Sequence, residues 1–351
     1  MKLTNTKHAA AIAALLLTAS ATHAQNFTAT NQTIDFDRWN YPFNATNGNR
    51  NLAPIFGALE GPDFTGPAGF DERDGQMLLG INTAALGITT GLDPSQYQIN
   101  ALSIDLTQAF GSFLYDPTYD GFQTYLDPSD PNFVADADAG RPIILTGAGL
   151  RGPFTDFSFG AANPGAPDYE EFEAFGDNGP TPLGNDAQDR NAFAAAFDSG
   201  GNLVDISNNV GTNGIDTGFD FTPFAVGTTD VTPGDPVVEG IFFNRPGSTF
   251  TFDITTSLTD PNILAYIQQG LSDGALFFSV TSLHGAGQQT GGTNPNFYTS
   301  ENLDPAAITP NFSLDITIAE ANAIPLPGAG AMGALGLAMV ASRRKYKPSK
   351  S

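Results

Sequence analysis

Asn311-Phe312-Ser313-Leu314-Asp315-Ile316-Thr317-Ile318 sets an apolar side chain at every second position. A period of two belongs to a strand with one face in a core and the other in water. Outward from it, Phe250, Phe252 and Ile254 repeat the pattern, as do Leu102, Ile104 and Leu106. Met77 to Ile81, Ile143 to Leu145, Val237 to Phe243 and Leu276 to Val280 are shorter apolar runs. Such runs suit strands buried on both faces. Turn-forming segments such as Asp127-Pro128-Ser129-Asp130-Pro131 and Asn178-Gly179-Pro180 separate them. These signals predict an all-β fold: an antiparallel β-sandwich, jelly-roll-like, with long loop insertions and one or two short helices.

The first helix is expected after Asp260, which can cap, with Pro261 in the first turn. Ile263, Leu264, Ile267 and Leu271 form its apolar face, and Gly270 and Gly274 mark its end. The spacing of Phe193, Ala194 and Phe197 predicts a second helix over Ala187 to Phe197. Neither helix alternates with strands as βαβ units require, so a doubly wound parallel sheet does not fit. The segments 115–140 and 160–235 are rich in Gly, Pro and Asp and read as long surface insertions. One body over 25–322 is expected; a split into two domains near residue 160 is the alternative.

The chain has 351 residues, 39 Gly, 25 Pro, 28 Phe and no Cys. Without Cys there is no disulfide, no thiolate metal site and no cysteine nucleophile. Fourteen Lys and Arg oppose 37 Asp and Glu, for a net charge of −23. Position sharpens this count. Lys2, Lys7, Arg343, Arg344, Lys345, Lys347 and Lys350 lie at the two ends, leaving seven Arg and no Lys between them. All 37 acidic residues fall in that middle, whose charge is therefore 7 − 37 = −30. Nucleic acid, whose phosphates need a cationic surface, is excluded as a partner.

The ends read as addresses. Lys2 and Lys7 precede an apolar stretch from Ala9 to Leu17, and Thr22-His23-Ala24 follows. This is the pattern of a signal peptide over 1–24, cleaved after Ala24. At the other end, Leu326 to Ala341 is an apolar run of 16 residues, about 24 Å long as a helix and slightly short of the hydrocarbon core. Arg343, Arg344 and Lys345 follow it and belong on the cytoplasmic side. Pro325, Leu326 and Pro327, the Gly/Ala-rich helix, and Arg343 with Arg344 resemble the PEP-CTERM sorting tail read by exosortases. Leu326 stands where the namesake motif has Glu. The resemblance covers 323–351 and implies a Gram-negative-type bacterium, a transient inner-membrane tether and an exosortase-type processing enzyme. It further implies cleavage near Pro325 to Pro327 and delivery to the cell surface or extracellular matrix. An uncleaved tail anchor is the alternative.

Asp37-Arg38-Trp39, the strands that follow, the helix after Asp260 and Phe297-Tyr298-Thr299-Ser300-Glu301-Asn302 also occur in an informative order. That order is similar to the DNRLRE-type β-sandwich, itself related in form to carbohydrate-binding modules. The Arg of that family's signature is missing here, so no residue role carries over.

Chemistry is thinly signposted. His284 is the one histidine between the two addresses, so a multi-histidine metal site cannot be built. It reads as a loop residue after a strand. Glu170, Glu171 and Glu173 are the densest carboxylates and read as a solvated acidic loop. Calcium, which takes several hard oxygen ligands from loops, is the cofactor such a surface allows. Asp136 with Asp138, and Asp198 with Asn202 and Asp205, have partial ligand spacing. Trp39, Tyr41 and Phe43 could stack on sugar rings, but core packing is the simpler use. Together these features predict an exported, non-catalytic surface or matrix protein with polysaccharide as its ligand and no catalytic residues. A secreted glycan-active enzyme, a hydrolase or lyase using paired carboxylates, is the competing expectation.

Overall fold

The computed structural model describes residues 24–41, 50–57, 73–138, 140–151, 154–159, 168–170, 191–207, 209–210, 218–229, 242–243, 246–285, 293–304 and 307–319. Contacts separate a unit of Phe27–Thr317 from a second of Met1–Asn26 with Ile318–Ser351. Of the second unit only residues 24–26 and 318–319 are described. The signal segment before Ala24, the sorting residues Pro325, Leu326, Pro327, Arg343 and Arg344, and Glu171 and Glu173 lie outside the described residues, as does Asn178-Gly179-Pro180.

Strands dominate, as the alternation predicts. In chain order they are β1 (Gln25–Thr33), β2 (Phe36–Asn40), β3 (Leu52–Pro54), β4 (Gln76–Ile81), β5 (Tyr97–Asp116) and β6 (Arg141–Leu150). Next come β7 (Asp156–Ser158), β8 (Asp168–Glu170), β9 (Ala192–Phe197), β10 (Leu203–Asp205) and β11 (Ala225–Val226). The last are β12 (Phe242–Phe243), β13 (Thr249–Asp253), β14 (Leu276–Ser282), β15 (Thr293–Tyr298) and β16 (Asn311–Ile318). Among the described residues one α-helix, α1, spans Pro261–Asp273.

The main sheet runs in the order β1-β16-β5-β6-β14-β4-β2 and is chiefly antiparallel. Among the described residues it contains one short parallel pairing, Tyr115 opposite Arg141 and Asp116 opposite Pro142. A second parallel pair, β7 with β8, stands apart from it. The 20-residue β5 joins two sections. Its early part pairs with β13, from Ser103 opposite Asp253 to Thr107 opposite Thr249. Its middle pairs irregularly with β15, where Gly111 has φ +136° and a Cβ would stand 2.5 Å from the Asn294 carbonyl. Only glycine fits that combination.

The two sections differ as their sequences do. On β16, Phe312, Leu314 and Ile316 are buried while Ser313, Asp315 and Thr317 alternate outward, and β5 and β13 do likewise. Every residue of β4 is buried, and β6 and β14 are buried nearly throughout. One face of that second section meets the first: the Phe252 ring of β13 stands 2.9 Å from where a Cβ of Gly227 would be, beside β11. The other face is covered in two places, the second by chain read from sequence as surface insertion. Phe157 and Phe159 stack on Phe277 at 4.4 and 5.1 Å, over Phe36, Leu78 and Ala148. Ile206 and Phe221, with Tyr119 and Phe219 alongside, close over Ile144, Ala194 and Ala196. Part of 160–235 is therefore core.

The second helix expected over Ala187 to Phe197 is not found. Residues 192–197 form strand β9, paired with β6 from Gly147 opposite Ala195 to Leu150 opposite Ala192; 187–190 lie outside the described residues. Alanine favours helix in isolation, but here buried Ala192, Ala194, Ala195 and Ala196 let neighbours close on both faces. Packing overrides propensity.

Helix α1 matches its signals. The Asp260 carboxylate accepts from the Asn262 N–H at 2.8 Å, and Gly274 closes the far end in the left-handed region at φ +91°. Ile263, Ile267 and Leu271 are buried one turn apart. The Tyr266 hydroxyl donates to the Phe277 carbonyl at 2.6 Å and accepts from the Ala148 N–H at 3.2 Å, fastening the helix to β14 and β6. Asp260→Ala should cost about 1 kcal/mol in urea unfolding, the usual loss on removing an N-cap side chain.

Candidate functional site

The two-residue parallel pairing sets the end of β5 beside the start of β6, so the 117–140 loop leaves and returns at one place. Four aspartates collect there. Asp116 ends β5 and is 2% exposed; Asp120, four residues on, is 5% exposed. Asp136 and Asp138 lie on the returning arm. Gly140, at φ +133°, brings that arm in so closely that a Cβ would stand 2.9 Å from the Cβ of Asp116. One carboxylate oxygen from each of Asp116, Asp120 and Asp138 lies within 4.8 Å of the other two.

The charges are unevenly compensated. Arg141 donates to Asp120 Oδ2 at 3.1 Å and Asp136 Oδ2 at 2.8 Å, and its guanidinium lies 4.2 Å from the Tyr125 ring centre. The Tyr125 hydroxyl adds a bond to Asp120 Oδ2 at 3.1 Å. Asp116 Oδ1 accepts from the Thr118 N–H and hydroxyl, both at 2.7 Å. Asp116 Oδ2 is buried and has no donor. Burial pushes the Asp120 carboxyl up to about 6, against the pull of Arg141. Burial also raises Asp116, with Asp138 and Asp136 adding repulsion and the Thr118 bonds opposing.

The residues singled out by spacing fall into separate local networks. Asp136 is committed to Arg141, whereas Asp138 joins Asp116 and Asp120. Asp198 Oδ1 accepts from the Gly200 and Asn202 N–H groups at 2.8 and 2.9 Å, closing the β9–β10 turn. Asp205 pairs with Arg151 at 2.6 Å and accepts from the Ser207 N–H. Asp116 and Asp120 were missed. Their spacing of four in Asp116-Pro117-Thr118-Tyr119-Asp120 was the available signal.

His284 lies in irregular chain just after β14, as expected, and is buried there at 8% exposure. Its Nε2 lies 3.0 Å from the Leu114 carbonyl and its Nδ1 2.6 Å from the Ser282 hydroxyl. The carbonyl can only accept, so Nε2 carries the proton. Ser282 also contacts the Pro142 carbonyl at 2.9 Å. The pair thus ties the end of β14 to the β5–β6 junction. Burial lowers the imidazole pKa to about 4.

Trp39 is 6% exposed. Tyr41 stacks on it at 5.0 Å and the Arg50 guanidinium lies 5.0 Å from its ring centre. Its ring faces are thus engaged by protein, in keeping with core packing. Asp37, wholly buried, accepts from the Ser300 N–H at 2.7 Å and hydroxyl at 2.5 Å.

The wet face of the first section carries an open groove of 340 Å³ across β1, β16, β5 and β13. Its polar lining includes Thr28, Thr30, Ser103, Thr251, Ser313 and Asp315. Neighbouring hydrogen bonds hold these side chains in place, from Thr251 to Asp105 at 2.6 Å and from Asn100 to Asp315 at 3.0 Å. The groove offers hydroxyl and carboxylate groups set among a larger apolar surface from Ala29, Ala101, Leu102 and Leu314, and no aromatic ring. Among the described residues no helix is long and apolar enough to cross a membrane. No family model, curated protein or solved structure matches this chain.

Proposed function

We propose that this is an exported, non-catalytic surface or matrix protein, released from a transient inner-membrane tether by an exosortase-type enzyme. The observation that carries the reading is the placement of charge: a Lys-free middle of −30 between two cationic, acid-free ends. The Pro325-Leu326-Pro327 and Arg343-Arg344 pair supplies the sorting signal. Replacing Arg343 and Arg344 together by Ala should leave unprocessed protein in the membrane fraction of the native host. Unchanged arrival of processed protein at the surface would refute the role of the tail.

The body's ligand in this reading is polysaccharide, held in the groove on the wet face. Sugar hydroxyls match its Ser, Thr and Asp lining, and the negative field favours neutral or amine-bearing chains over uronic acids. The competing enzyme reading needs two reachable carboxylates roughly 5–9.5 Å apart. Asp116 and Asp120 are buried, and their nearest oxygens lie within 4.8 Å, which gives that reading little support. Retention of a neutral glycan without product release is the expected outcome. Turnover abolished by one Asp or Glu substitution would establish the enzyme instead.

A further inference from the structure

We propose that Asp116, Asp120 and Asp138 form a calcium site at the end of the sheet where β5 passes into the 117–140 loop. Two observations carry it independently. First, one oxygen from each carboxylate lies within 4.8 Å of the other two. Calcium binds oxygen at about 2.3–2.6 Å, so two ligands on opposite sides of one ion stand roughly 4.8 Å apart. All three oxygens can therefore reach a single ion without rearrangement of the backbone. Second, Asp116 is 2% exposed and its Oδ2 atom is buried with no donor. A buried carboxylate oxygen without a partner is costly, and no protein donor meets it here. A cation supplies what is missing.

The surrounding groups fit the same assignment. The Thr118 hydroxyl lies 2.7 Å from Asp116 Oδ1 and 3.3 Å from Asp138 Oδ2, so it bridges two of the ligands. Arg141 binds Asp120 Oδ2 and Asp136 Oδ2, which sets Asp136 aside as the arginine's partner. Four carboxylates and one guanidinium sum to −3, and a divalent ion brings this to −1. The donors are all hard oxygens, which select calcium over zinc or copper. Asp138 is partly exposed, which gives the ion a way in. Loop closure follows from the chemistry: the ion would pin the returning arm to the end of β5. The site stands whether or not the export reading holds.

The test uses the full-length protein freed of metal with a chelator. Calorimetric titration with calcium chloride should show one ion per chain, with Kd on the order of 0.1–1 mM as in extracellular modules. The melting temperature should rise in about 5 mM calcium by mass action. Asp138→Asn, in the partly exposed arm, should weaken binding at least about tenfold with the fold intact, and Asp116→Asn should do the same. Asp198→Asn should leave binding unchanged. Absence of both heat and melting shift in the unmodified protein would overturn the proposal. So would calcium binding retained in Asp138→Asn, or an equal response to magnesium.

Discussion

Phe250→Ala should lower the folding free energy by about 4 kcal/mol, within the range for deleting a buried aromatic ring. Phe250 is wholly buried on β13, opposite Leu106 of β5. Its ring lies 5.7 Å from Phe297, 6.2 Å from Phe113 and 6.2 Å from Tyr115. Those partners sit on β15 and on the far part of β5, so one side chain fills the space where β5 leaves one sheet section for the other. Alanine would leave a cavity bounded by three aromatic rings that cannot all move in. Urea unfolding of the variant against the parent measures the loss. Phe110→Ala, at a position 46% exposed on β5, should fall within about 0.5 kcal/mol of the parent. A loss below about 1 kcal/mol for Phe250→Ala would mean that β13 does not pack as described.

Acidification should cost about 3 kcal/mol through His284 alone. Folding lowers its pKa from the ordinary 6.5 to about 4, chiefly because burial disfavours the imidazolium, with the positive charge of Arg141 adding to the effect. The Leu114 carbonyl opposes the shift but does not reverse it. Between pH 6.5 and about 4, then, the unfolded chain takes a proton that the folded chain refuses. Stability from this group is complete above pH 6.5 and is lost as pH falls through that window. The expected signature is a difference. The stability gap between the parent and His284→Gln should shrink by about 3 kcal/mol between pH 7 and pH 4, measured by urea unfolding at each pH. A gap independent of pH would show that His284 is not held neutral and buried.

The parts of this fold that could be read from sequence are those whose pattern is set by water. Phe312, Leu314 and Ile316 alternate with Ser313, Asp315 and Thr317 because β16 has one wet face, and the period survives intact. Met77 to Ile81 could be read as buried on both sides, but nothing local said what covers the second side. The cover is Phe157, Phe159 and Phe221, single aromatics scattered through Gly-, Pro- and Asp-rich chain that has no period. Strand β9 was hidden by its own alanines, whose small size matters to the neighbours and not to the local backbone.

The acidic cluster was hidden for a different reason. Asp116 and Asp138 are neighbours only because β5 and β6 pair in parallel at Tyr115 and Arg141, a long-range choice that spacing does not encode. Conversely, Asp198 and Asn202 have ligand-like spacing because an aspartate accepting N–H groups from its own turn produces the same spacing. The loop position of His284 could be read, but its burial could not, because its partners, Leu114 and the Ser282–Pro142 contact, converge on it from the β5–β6 junction.

The reading of the chain as an exosortase-sorted surface protein is tested most directly by the intact mass of the protein recovered from the outside of its native host. The expected mature form starts at Gln25 and ends near Pro325 to Pro327, without Arg343 and Arg344. A surface form that retains the chain through Ser351 would contradict it.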